Sequence, residues 1–323
     1  GAPPFVSPAG GGGSRNSVIQ NSILLGVGVI LSAIATGLLA RQQLKIQGIL
    51  QVQMDRVEKT KRAVAAFVPR FFLNKMGYTS ITHVAAGDSR EVALTMIFSD
   101  IRAFTTVAEG MTNRALFDWV QGFFKLMTTI IEGHHGNINQ FIGDALFALF
   151  STANDGVVCA VEMQAKTQQL NLQRLCVEGI KVPLDIGVGI HHDVLSLGIL
   201  GDERRHTCTA LSASVNLASR LEGLTKQLGC KIIASEAVVS QLSAAQANEL
   251  RMRRVGAVVV KGSSAAVVVH DVFHADAREL QLYKAETKEA FEALAEACLR
   301  HEPSAAVQQL LKAELRAAAA AAA

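Results

Sequence analysis

The chain has 323 residues, half of them hydrophobic, and carries 31 Lys and Arg against 28 Asp and Glu, a formal charge of +3. This composition excludes a disordered, acidic or collagen-like polypeptide, and so close a charge balance excludes the broad basic face that nucleic-acid binding needs. A mean hydropathy of +0.27 is high for a wholly soluble protein, and a length prior of about 150 residues per domain allows one large or two modest folded units.

Residues 1–15 are rich in Pro, Gly and Ser and read as a flexible N-terminal segment. Asn16 to Ala40 then runs 25 residues without a charge. A bilayer crossing needs about 20 apolar residues, so 16–40 is expected to be one transmembrane helix. Arg41, Lys45, Arg56, Lys59, Lys61 and Arg62 follow it and outnumber Arg15, which places the remaining chain on the positive-inside face. An organellar (mitochondrial) inner membrane follows if Gly1 marks removal of a transit peptide. Residues 41–90 form a stalk and lead-in, with Leu50, Met54, Val57 and Val64 recurring along an amphipathic helix. Cys159, Cys176, Cys208, Cys230 and Cys298 are odd in number and lack any C-x-x-C pair, which points to a reducing compartment rather than a disulfide framework or zinc knuckle.

From Glu91 the periodicity changes. A strand is predicted over Val92–Phe98, and Thr112 caps a helix running to about Glu132. Strands at Asn137–Phe141 and Ala145–Phe150 flank a tight Gly143-Asp144 turn. A helix over Asp155–Leu175 precedes separate strands at Leu184–Ile190 and Ser196–Leu200. Next come a helix over Ser214–Leu228, a strand at Lys231–Ala234, a short helix from Ser235, strands at Met252–Val260 and Ala266–Phe273, and a helical tail. The order is that of a ferredoxin-like α+β sheet, expected here with helices on one face, over residues 91–274, with 275–323 as the C-terminal tail. His134-His135 and His191-His192 flank predicted turns without a spaced Cys or carboxylate cluster and read as surface histidines. Phe117, Trp119, Phe123 and Phe124 fall in one helix and read as core and interface packing.

Two acidic residues stand at predicted strand ends, Asp100 in Ile97 to Arg102 and Asp144 in Phe141 to Ala145. The first strand of such a sheet lies beside one strand of the hairpin, so the two carboxylates can converge on a hard cation. Mg²⁺ characteristically takes one or two protein carboxylates plus substrate phosphates. Asn216 and Arg220 are i and i+4 on one helix face. There Asn can orient a substrate oxygen and Arg can stabilise charge on a phosphoryl group in transit.

Four motifs in order carry a family resemblance: Met96–Thr105 (MIFSDIRAFT), Gln140–Phe150 (QFIGDALFALF), Ser214–Lys226 (SVNLASRLEGLTK) and Phe67–Asp88 (FVPRFFLNKMGYTSITHVAAGD). Together they resemble the class III adenylyl/guanylyl cyclase catalytic domain with its two metal motifs, its transition-state segment and its lead-in. The resemblance implies a dimer, a homodimer or a heterodimer with another cyclase-like chain, with sites at the interface. Asp100 and Asp144 of one protomer would hold two Mg²⁺ (or Mn²⁺) ions, and Asn216 and Arg220 would come from the other. The substrate would be ATP or GTP, converted to a 3′,5′-cyclic nucleotide and pyrophosphate. Aligned on the family, Gln140 and Thr207 take the base-selecting places, with a lean to ATP, and Lys261 is the phosphate-seeking lysine.

The chain also departs from the family pattern. Ala103 stands where Gly is usual after S-D-I-R, Leu211-Ser212-Ala213 replaces I-G-D, and Lys261-Gly262-Ser263 keeps one lysine of K-G-K. These departures carry a second expectation: a catalytically weak or inactive cyclase-like subunit with an assembly role in a larger membrane complex.

Overall fold

The computed structural model describes residues 13–65, 70–80, 83–177, 183–202, 205–260 and 265–299, which fall into two compact units divided after Phe67. The first is a single helix, α1 (Gly13–Ala65), 53 residues long. At 1.5 Å per residue it extends about 80 Å. The expected span, 16–40, and the first part of the expected stalk, up to Ala65, are thus one continuous helix. Among the described residues of this unit nothing covers its apolar side chains: Leu24, Leu25 and Val29 are each more than 60% exposed. Among the described residues one helix, over Ile19–Lys61, is long and apolar enough to cross a membrane.

The second unit opens with α2 (Arg70–Met76) and β1 (Ser89–Ile101), followed by α3 (Phe104–Glu109) and α4 (Asn113–Gly133). Thr112 caps α4 as expected, its hydroxyl accepting the Ala115 N–H at 3.3 Å. Then come β2 (Asn137–Ile142), β3 (Ala145–Phe150), α5 (Ala153–Val177), β4 (Ile186–Asp202), β5 (Arg205–Leu211) and α6 (Ala213–Leu228). β6 (Ile232–Ser235), α7 (Glu236–Val239), α8 (Ala244–Glu249), β7 (Met252–Val259), β8 (Ala266–Val272), α9 (Arg278–Glu286) and α10 (Lys288–Leu299) complete it. The strand order is β2-β3-β1-β4-β6-β8-β7, with β5 paired to β4 and, among the described residues, only the β4–β6 pairing parallel. This is a mixed α+β sheet, as the sequence predicts.

Three details correct the sequence reading. Helices cover both faces: α4 and α5 bury Phe123, Met127, Val157 and Met163 against Ile97, Ala148 and Val188. On the other face Phe72 and Met76 of α2 and Ala218 of α6 pack on Leu94, Met96 and Leu197. The alternation of β1 side chains supplies both surfaces, because every residue from Leu94 to Phe98 is buried. Second, β4 does not break at His191-His192. It pairs with β1 from Ile186 to Gly198 without interruption, and its polar triplet His191-His192-Asp193 is absorbed by side-chain partners described below. His191 is therefore buried, at 7% exposure, rather than a surface histidine. Third, β5 was not predicted, because Arg205-His206-Thr207-Cys208-Thr209 has no apolar run, and its ladder with β4 makes it a strand.

The aromatic cluster of α4 divides by helical phase: Phe123 is core, Trp119 and Phe124 are half-buried against it, and Phe117 is 65% exposed. His134 pairs with Glu162 at 2.7 Å. At the far edge, α9 is tied down by a buried ion network, with Lys284 Nζ 2.8 Å from Asp271 and 2.6 Å from Asp276, and Arg253 Nε 3.1 Å from Asp271.

Ala103, just after β1, sits at φ 54°, ψ 29°, in the left-handed region. An L-residue there costs about 1–2 kcal/mol, which glycine avoids while losing some chain entropy. Ala103→Gly is therefore expected to stabilise the domain by about 0.5–1 kcal/mol, read as a raised urea midpoint with an unchanged slope.

Candidate active site

The site is built on one end of β1. Its ladder with β3 places Ser99 opposite Leu146, so Asp100 arrives beside the turn in which Gly143, at φ 64°, sets up Asp144. Burial, and then the charge and direct side-chain interaction of Asp144, push the Asp100 carboxyl up to about 6. Asp100 Oδ1 is buried and has no hydrogen-bond partner among the described residues. Ionised carboxylates only accept, so a facing pair with an orphaned oxygen is satisfied by a proton or by a cation. The donor set fits a hard divalent cation, whose ligands are oxygens.

A third carboxylate feels the charge of this pair. Gly187 pairs with Asp100 across the β1–β4 ladder, and a Cβ at Gly187 would collide with the carboxylate of Glu222, delivered from α6. Burial and the Asp100 charge, opposed by Arg102, then the Asp144 charge push Glu222 up to about 7. Arg102 is held in turn, donating to the Cys230 carbonyl at 2.6 Å with Nε 3.6 Å from Asp185. Sequence reasoning assigned Glu222 no role. The available signal was Gly187 and Gly189 in an otherwise apolar strand, since glycine inside a strand marks close approach by another element.

Protons compete with a cation for the Asp pair; among the described residues no group of three or more such side chains is close enough to hold a metal ion together. Because Asp100 and Glu222 are raised from 3.8 and 4.5, the cation-free folded domain binds protons that the unfolded chain does not. These two groups therefore add stability as pH falls through 7 and 6 toward those ordinary values, and that contribution is lost as pH rises. Mn²⁺ affinity runs the opposite way. It is expected to weaken severalfold between pH 7.5 and 6.5 and further by pH 5.5, as read by calorimetric titration, and a flat profile would contradict the assignment.

The other predicted residues are placed as follows. Asn216, exposed, and Arg220, half-buried, lie one turn apart on α6, and neither side chain makes a hydrogen bond or ion pair among the described residues. Arg220 is two residues from Glu222, about 200° around the helix, so α6 turns Glu222 toward the Asp pair and presents Arg220 and Asn216 on another side. Gln140 is exposed on β2 and Thr207 on β5, two strands that touch. Lys261 lies outside the described residues. Phe117, Phe124 and Phe141 line an open groove that reaches Gly143.

The family model for the adenylate and guanylate cyclase catalytic domain matches residues 88–272, the stretch that carries this carboxylate pair. The chain belongs to that family. An adenylate cyclase of Anabaena cylindrica is 32% identical over 240 residues, covering 73% of this chain and 48% of the relative. The terminal-differentiation-specific adenylate cyclase of Dictyostelium discoideum is 28% identical over 236 residues, covering 72% and 11%. The chain thus spans about half or less of the length of these relatives. A bacterial light-regulated adenylyl cyclase structure superposes with a TM-score of 0.60 at 23% identity, covering 76% of this chain and 68% of that one, which shows a shared class III cyclase fold. Class III cyclases generally use Mg²⁺ or Mn²⁺ and act as dimers on nucleotide substrates.

Proposed function

We propose that this chain is a membrane-anchored class III nucleotide cyclase that converts ATP to 3′,5′-cyclic AMP and pyrophosphate at a site shared by two protomers. The observation that carries the reading is the convergence of Asp100 and Asp144, with an orphaned, buried Asp100 oxygen. These two carboxylates would hold the divalent cations, with Glu222 beside them. When bound, the cations supply acidification of the ribose 3′-hydroxyl and neutralisation of the phosphates.

The chain's own residues supply position and charge. Arg220 of the second protomer stabilises the charge that develops as the 3′-oxygen attacks the α-phosphorus and pyrophosphate departs, while the 3′-hydroxyl proton passes to solvent. Asn216 orients the ribose. By the family resemblance, Gln140 and Thr207 are assigned to the base and Lys261 to a phosphate. Helical phase supports a site shared by two protomers, because α6 turns Glu222, not Arg220, toward its own Asp pair. The charge pattern after the apolar stretch supports a body on the positive-inside face of the membrane.

The catalytic reading is favoured over a silent assembly subunit because the departures at Ala103 and at Leu211-Ser212-Ala213 leave their elements in place. Ala103 keeps the left-handed turn, and Ser212 caps α6 by accepting the Ser214 N–H at 3.1 Å. The test is a heterodimer purified through two different tags, one protomer carrying Asp144→Ala and the other Arg220→Ala. It retains one complete site of two, and cyclic AMP formation from ATP with Mn²⁺ is expected at about half the parent rate, against background for either homodimer. Full inactivity of the parent protein with ATP and GTP would overturn the reading in favour of the silent subunit.

A further inference from the structure

The polar triplet in the middle of β4 is built into a chain of side chains that the reaction above does not use. His192 Nδ1 lies 2.9 Å from Thr95 Oγ1 on β1, and His191 Nδ1 lies 2.7 Å from Ser235 Oγ at the end of β6. Asp193 Oδ1 accepts the Val194 N–H at 2.8 Å, and Oδ2 accepts the Ser214 hydroxyl from α6. His191 Nε2 stands 3.9 Å from the same Oδ2. Burial holds both histidines below their ordinary range, so they are neutral at pH 7. Burial works against ionising Asp193, yet the Ser214 and Val194 bonds and the two histidines outweigh it and hold that carboxyl below its ordinary range. Asp193 is therefore a charged acceptor with a neutral hydroxyl donor, the stronger class of hydrogen bond.

Ser214 is the second residue of α6 and precedes Asn216 by two. The middle and C-terminal half of α6 lie on β4 by direct approach, Ala218 and Glu222 over Gly189, and Glu222 and Thr225 over Gly187. At its N-terminal turn, the side-chain tie to β4 is the Asp193–Ser214 bond, and Ser214 is buried there at 8% exposure. A half-exposed carboxylate is not needed to fill the core at this point. It is suited to fixing where the first turn of the helix sits.

We propose that Asp193 is a positioning residue for the cyclase reaction: by holding the Ser214 hydroxyl it sets the N-terminal turn of α6, and so the placement of Asn216 and Arg220 toward the neighbouring protomer's nucleotide. The inference rests on the shared-site reading above. Misplacing a catalytic group by a fraction of an ångström lowers turnover while substrate binding, carried by other residues, is spared.

The two-tag heterodimer tests it. In that heterodimer the surviving site takes its Asp pair from the Arg220→Ala protomer and its α6 from the Asp144→Ala protomer. Asp193→Ala placed on the α6 donor is expected to lower kcat about tenfold with KM changed less than about twofold. The same substitution on the other protomer should cost less than about twofold, since that α6 gives the surviving site only Glu222, which its approach to Gly187 and Gly189 seats, while its N-terminal turn serves the dead site. Ser214→Ala on the α6 donor should reproduce the loss, and Ser214→Thr, which keeps the hydroxyl, should recover most of it. Equal losses in the two arms, or a Ser214→Ala loss confined to KM, overturn the inference; if Asp193→Ala fails to fold, the Ser214 pair of variants decides it in the same way. A two-tag heterodimer that makes no product without the Asp193 change overturns the shared-site reading and this inference with it.

Discussion

Asp144→Asn is expected to lower cyclic nucleotide formation by about a thousandfold and to abolish Mn²⁺ binding, while Arg220→Ala lowers turnover as far and leaves Mn²⁺ binding in place. The two effects separate because the residues do different physical work. Asn keeps the shape of the turn at Gly143 but removes one of the two charges facing the cation position. The remaining Asp100 then loses the neighbour whose charge, after burial, holds its carboxyl up at about 6, so its pKa should fall as the site loses affinity. Arg220 sits on a different side of α6 from Glu222, and its guanidinium acts on the phosphoryl group rather than on the cation. Calorimetric titration with Mn²⁺ and a product assay read the two properties independently. Retained Mn²⁺ binding in Asp144→Asn would remove the Asp pair as the cation site, and lost Mn²⁺ binding in Arg220→Ala would contradict the division of labour between the helix faces.

Gly189→Ala is expected to be the most damaging single-methyl change in the domain, destabilising it by about 3 kcal/mol and lowering the melting temperature by roughly 6–12 °C. A Cβ there would come within 2.6 Å of the Ala218 carbonyl oxygen and closer still to the Glu222 amide nitrogen. Both are main-chain atoms of α6, so no rotamer change relieves the overlap and the helix as a whole must lift from β4. Gly223→Ala on the same helix is the matched control. Its Cβ meets nothing within 4 Å, and replacing an exposed helical glycine gains about 0.5–1 kcal/mol. Because α6 carries Asn216, Arg220 and Glu222, Gly189→Ala should lose activity even below its melting temperature. A variant with parent-like stability and turnover would show that α6 does not rest on β4 in this way.

Much of the fold was legible because it is local. The N-cap at Thr112, the Gly143-Asp144 hairpin and the amphipathic run of α6 are set by residues within a few positions of each other, and the structure reproduces each. The reading failed where long-range partners overrule local pattern. Three polar residues in a row at His191-His192-Asp193 look like a turn, yet β1 pairs through them, and Thr95, Ser235 and Ser214 satisfy their side chains. Likewise β5 has no apolar signature and exists through its ladder to β4.

By itself, the order of residues determined the inventory: an uncharged stretch long enough to cross a bilayer, a mixed α+β body, and Asp100, Asp144, Asn216 and Arg220 in motifs of fixed spacing. Tertiary structure decided their relation. Asp100 and Asp144 meet because β1 and β3 pair in one particular register. Glu222 reaches them because two glycines let a helix backbone settle onto β4, and Ser214 is anchored because a carboxylate two strands from the hairpin points at it. Spacing along a chain reports which side chains share a face. Which faces then meet depends on hydrogen-bond ladders and close approaches between segments more than a hundred residues apart in some cases, and these cannot be read from local pattern.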